Sequence, residues 1–125
     1  MIPNLERIDW MASPPLAPDD VAVDVTHLQR ATLGDAALER EILALFEKQS
    51  RTLMTRLATL PADGELLAHT LKGSARAIGA FGVAEAAEDV ECAFRDGRPQ
   101  VASLRRLEAA LAEACDAIGV LLRAN

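Results

Sequence analysis

Apolar side chains in this chain recur every three or four positions, and no segment alternates with period two for long enough to form a strand. That spacing confines the chain to helices. After a short segment at Val25–Ala31, stopped by Gly34, Asp35 is placed to cap a long helix. Leu38, Ile42, Leu45, Phe46, Leu53, Leu57 and Leu60 follow its 3.6-residue period, and Pro61 ends it. The pattern predicts a second long helix over about 63–79 and a third over about 82–95, the latter carrying Val83, Ala87, Val90 and Phe94. Asp96-Gly97 stops the third, and Pro99 suits the first turn of a fourth. The fourth sets Leu104, Leu107, Leu111, Cys115, Ile118 and Leu121/Leu122 on one stripe.

Four amphipathic helices on short links bury their stripes most simply as an antiparallel four-helix bundle, here with one or two short helices ahead of it. The fold class is all-α. Apolar residues are 50% of the chain and aromatics 3%, so the core is aliphatic. Residues 20–125 read as one domain. Residues 1–19 read as a separate segment, with Leu5, Ile8 and Trp10 in a short helix and Ser13-Pro14-Pro15-Leu16-Ala17-Pro18 as an extended linker.

A net charge of −6 argues against nucleic acid, whose binding rests on neutralising phosphates. There is no run of about 18 apolar residues, so no membrane span is expected. Glu6 and Asp9 stand where a signal peptide would have a basic head and apolar core, so the expected location is cytoplasmic. Cys92 and Cys115 have no metal-binding spacing and read as buried, reduced thiols.

The chain has two histidines. On a projection of 100° per residue with Leu67 at the origin, Leu71, Ser74 and Ile78 fall on the buried stripe, while His69 lies at about 200°, on the opposite side. Arg76 and Lys72 flank it at about 180° and 140°. Gly73 lies at about 240°, where it costs the helix about 1 kcal/mol relative to alanine. A solvent-facing imidazole is an available nucleophile, and two adjacent cations would stabilise an anion placed on it. A bare Gly73 would let a bulky partner approach the ring. Leu66, Ala77 and Ala80 form an apolar ledge on the same flank, a candidate partner contact. Ser74 is expected to bond back to the Thr70 carbonyl. His27 has neither Lys nor Gly at the same offsets and reads as an ordinary side chain.

The stretch AHTLKGSARAIGAFGVAEAAEDVE resembles the histidine-containing phosphotransfer (HPt) domain of bacterial phosphorelays, whose hallmark is His-x-Leu-Lys-Gly-Ser/Ala on the second long bundle helix with a glycine some residues on. Here the motif stands as His69, Leu71, Lys72, Gly73, Ser74 and Gly79. DVTHLQRATLGD, Asp24 to Asp35, is similar to the family's short leading helix, and the resemblance covers roughly residues 20–123. The link Pro61-Ala62-Asp63-Gly64 departs from many members by leaving only about five helical residues ahead of His69.

The resemblance implies that His69 is the phosphoacceptor. It would take a phosphoryl group from a receiver-domain aspartyl phosphate, on the ring nitrogen remote from the backbone, and pass it to another receiver. Lys72 would orient and neutralise that group, and Gly73 would clear the approach. Arg76 joins the site on the helical projection. The implied partners are receiver domains of response regulators or hybrid kinases. The chain would be a monomeric phosphocarrier and not an enzyme, with no cofactor or metal of its own, the magnesium arriving with the receiver. A kinase is disfavoured, since neither GxGxxG nor GxxxxGK[ST] occurs. The alternative is a helical module that docks receivers without carrying phosphate. A generic bundle with no receiver partner is a further rival.

Overall fold

A computed structural model describes residues 21–124, and the expected N-terminal helix and Pro-rich linker of residues 1–19 lie outside the described residues. Five helices follow in order: α1 (Val25–Ala31), α2 (Ala36–Leu57), α3 (Gly64–Ile78), α4 (Phe81–Arg95) and α5 (Val101–Arg123). No strand occurs among the described residues. The chain is therefore all-α, as the periodicity requires.

The long helices close a ring, α2 against α3, α3 against α4, α4 against α5 and α5 back against α2, while α1 packs on α3. Polar contacts fix the direction of the pairs. Glu65 meets Arg95, His69 meets Glu91 and Arg76 meets Glu88, so α3 and α4 run antiparallel. Arg40, early in α2, donates to the Leu122 carbonyl near the end of α5 at 2.8 Å, so that pair is antiparallel too. The bundle core holds Leu57, Leu71, Leu107, Ile118, Val83 and Val90, each fully buried. A buried side chain of this size contributes about 1.5–3 kcal/mol.

The cap expected from the sequence is present, and the structure adds a second. Asp35 accepts from the Leu38 amide at 3.1 Å and starts α2. Asp24 does the same for α1, accepting from His27 N–H at 3.1 Å. The α3 start at Gly64 leaves five helical residues ahead of His69, as the link Pro61–Gly64 implied. Gly64 is buried there, and a Cβ on it would overlap the Phe94 ring.

The expected stripe on α2 needs correction. Leu38, Leu45 and Leu60 are exposed, and the buried face is Leu43, Phe46, Ser50 and Leu57. These four fall within an arc of about 60°, with Leu38 and Leu45 on the far side. The helix carries more leucines than its core face can take, and periodicity alone does not choose between the two sets.

At the end of α3 the chain turns sharply. Gly79 adopts φ 83°, its amide donating to Arg76 O and the Ala80 amide to Ala75 O, a Schellman closure. The Asp24 backbone packs against this turn, its amide donating to Gly79 O at 2.9 Å. A Cβ on Gly79 would lie 2.8 Å from Asp24 O, so both the left-handed turn and the close approach require glycine here. Ala80, expected on the exposed ledge, is fully buried. The helical projection fails for it because α3 has ended two residues earlier.

Candidate functional site

The buried residues of α3 are Gly64, Leu67, Ala68, Leu71, Ala75 and Ile78. Their arc is rotated toward α4 from the one expected, by about 40° on the helical projection. Two consequences follow. Ser74 leaves the core and is only half-buried, and among the described residues no hydrogen bond from its hydroxyl is formed; the bond back along the helix is made by Thr70, to Leu66 O at 3.0 Å. Lys72 moves the other way, to the α4 seam, where its side chain is only 14% exposed.

His69 stands on the outer face of α3 with its side chain 62% exposed. Gly73 is one turn away, and a Cβ placed on it would meet no atom within 4 Å. No packing inside the described chain therefore needs this glycine. Leu66 (63% exposed) and Ala77 lie on the same open side, as expected.

On the other side of the ring stands a residue the sequence reading missed. Glu91 of α4 places Oε2 3.0 Å from His69 Nδ1. Its Oε1 lies 2.8 Å from Lys72 Nζ, and its side chain is only 8% exposed. The Lys72 hydrogen bond, with a smaller contribution from His69, holds the Glu91 carboxyl below its ordinary value against the opposing effect of burial. Lys72 is thus not the free flanking cation expected but one half of a buried pair.

A second layer of charge surrounds this pair. Arg95 reaches Glu65 at 3.2 Å and Glu91 at 3.5 Å. Arg76 is exposed on the outer face, as expected, and lies 3.4 Å from Glu88. Ala62, Asp63, Glu65 and Leu66 line a shallow depression beside His69 and Glu91. No group of three or more metal-ligating side chains is found among the described residues.

The other candidates are placed differently. His27 packs its ring edge-on against Phe81, with centroids 5.2 Å apart, and its amide serves the α1 cap. Cys92 and Cys115 are free thiols and partly buried, less enclosed than expected. No helix among the described residues is long and apolar enough to cross a membrane.

Comparison with known families agrees with this geometry: the family model for the Hpt domain matches residues 41–119, a span that includes α3, α4 and the whole His69 surface. The chain belongs to the Hpt domain family. Comparison with curated proteins and with solved structures returned no match. Membership implies a phosphotransfer-type role in phosphorelays, in which Hpt domains interact with receiver domains and act as phosphocarriers.

Proposed function

We propose that this chain is a histidine phosphotransfer protein in which His69 accepts a phosphoryl group from a receiver-domain aspartyl phosphate and passes it to a second receiver. The observation that carries the reading is the pairing of an exposed imidazole with a bare helical turn. His69 is open to solvent, and Gly73 beside it is filled by nothing in the described chain. A glycine that costs a helix about 1 kcal/mol and packs against nothing internal is best accounted for by an external partner.

In the transfer, the lone pair of His69 Nε2 attacks phosphorus. The N–P bond forms as the P–O bond to the receiver's aspartate breaks, and the aspartate leaves as a carboxylate with the bonding electrons. The reverse sequence delivers the group to the next receiver. Little covalent work falls to the protein, so positioning and charge dominate. Arg76 supplies positive charge near the phosphoryl oxygens, Lys72 acts from the seam through its pair with Glu91, and Leu66 and Ala77 form the apolar contact with the receiver. Magnesium comes with the receiver, and this chain brings no cofactor. The carrier works as a cytoplasmic monomer and is phosphorylated and dephosphorylated once per cycle, without kinase activity.

The test is transfer from a phosphorylated receiver to the purified chain, with His69→Gln alongside. Acid-labile, base-stable phosphate on the native chain alone supports the proposal.

A further inference from the structure

The outer face of α2 is apolar. Leu38 and Leu45 are 39% and 53% exposed, and Ile42 between them is only half-buried. They line two adjoining shallow depressions that share Leu45 and Lys48. One runs along α2 past Leu38 and Ile42; the other continues past Gln49 and Leu53 and crosses to Thr70 of α3. Thr70 stands one turn after Leu66 and one turn before Gly73. The groove therefore borders the open flank from which a partner reaches His69. A contiguous apolar strip of this kind marks a binding surface.

We propose that the groove is covered by the N-terminal segment of the same chain, residues 1–12, docked through Leu5, Ile8 and Trp10, and that the docked segment shades the Leu66 and Gly73 flank of His69. Three observations select this occupant. The first is where the tether is fixed. The Asp24 amide bonds to Gly79 O at 2.9 Å, at the end of α3. Arg56, late in α2, meets Asp63, just ahead of α3, at 3.0 Å, so the two helices are antiparallel and the Leu38 end of the groove lies beside the end of α3. The tether thus starts at the mouth of the groove. The second is reach. Residues 13–20 span up to about 26 Å when extended, against about 22 Å from Leu38 to Leu53 along the α2 axis. The third is chemistry. Ile2, Leu5, Ile8, Trp10 and Met11 supply apolar side chains for a leucine strip, and Glu6 and Asp9 can meet Lys48, the exposed cation common to both depressions. A tether this short also holds the segment at an effective concentration in the millimolar range, which a free partner or a second copy does not match.

Docked and free segments form a two-state equilibrium, and a receiver that needs the same flank must displace the segment. That consequence rests on the phosphotransfer reading; the docking does not.

Trp10 is the only tryptophan of the chain, so its fluorescence reports the segment directly. The test compares emission and acrylamide quenching in the full native chain, in Leu38→Gln/Leu45→Gln and in Leu5→Ser/Ile8→Ser. Native Trp10 should emit to the blue of the urea-unfolded chain and resist quenching. Either double substitution should move it to the red and raise quenching, with helix content by circular dichroism unchanged. The second variant lies outside the bundle and keeps the test alive should the first unfold. Transfer from a phosphorylated receiver should be faster in Leu5→Ser/Ile8→Ser than in the native chain. Native Trp10 as quenchable as in urea overturns the proposal, and so does a protected Trp10 that ignores the Leu38 and Leu45 substitutions. Protection that grows with protein concentration overturns it too, since a second copy would then fill the groove. Undocking with no change in transfer removes the shading of His69. A protected, groove-dependent Trp10 in a chain that takes no phosphate would leave the docking standing and sink the functional reading instead.

Discussion

Glu91 and His69 meet across the α3–α4 seam, one carboxylate oxygen 3.0 Å from one ring nitrogen, and the same carboxylate takes Lys72 at 2.8 Å. This relationship turns an exposed histidine into an oriented one. It also gives the site a dependence on acid. The folded-state pKa of Glu91 lies below its ordinary value, chiefly through the Lys72 hydrogen bond. Such a group stabilises the fold above the unfolded-state pKa, and that stability is lost as pH falls through the folded one. Urea midpoints should therefore decline from the ordinary carboxylate range downward, and decline less steeply in Glu91→Gln. Parallel pH profiles for the two proteins would contradict this.

Replacing Gly73 with alanine should separate folding from function. Nothing lies within 4 Å of the added Cβ. The helix should gain about 0.5–1 kcal/mol in urea unfolding. Phosphotransfer should nevertheless slow, because the methyl group stands where the receiver approaches the ring. A more stable protein with unchanged transfer would remove Gly73 from the docking surface.

Gly79 is expected to behave in the opposite way. Alanine there would keep a φ of 83° only at strain of about 1–2 kcal/mol, and its Cβ would press on the Asp24 carbonyl 2.8 Å away. Gly79→Ala should lose about 2 kcal/mol or more and speed hydrogen exchange of the α1 amides, since α1 is anchored through the Asp24–Gly79 bond. Stability equal to native would mean that the turn is not under this constraint.

Arg76 is the outward cation of the site, paired among the described residues with exposed Glu88 at 3.4 Å. Arg76→Glu should change stability by about 0.5 kcal/mol or less, as surface charges do. It should slow transfer from receivers, whose active sites are acidic, and weaken the salt dependence of the rate. Unchanged rates would exclude Arg76 from the site.

The helices and the outward placement of His69 were legible in the sequence because both follow from one number, the helical repeat. Asp35 and Asp96-Gly97 marked boundaries because capping and chain-stopping chemistry is local; Pro61 and Pro99 lie outside the helices they were expected to bound, since α2 ends at Leu57 and α5 begins at Val101. The errors arose where tertiary packing decides. Leu43 and Leu45 are equally apolar, and only the neighbouring helices select Leu43 for the core. The rotation of α3 toward α4 drew Lys72 into the seam and left Ser74 half-exposed. Ala80 was misplaced because the turn at Gly79 changes the chain's direction. Glu91 carried a signal that could have been read: an ionisable residue within the apolar arc of α4 needs a partner. Its partner on α3, however, is set by the antiparallel register of two helices, which no periodicity within one helix contains.

The most direct measurement is label transfer from a radiolabelled phosphorylated receiver to the purified chain, run beside His69→Gln. The account predicts label that is stable to base, labile to acid and absent from the His69→Gln protein. Label that survives the substitution would place the acceptor elsewhere. Binding of receivers with no label on the native chain would contradict phosphotransfer itself and leave a docking module.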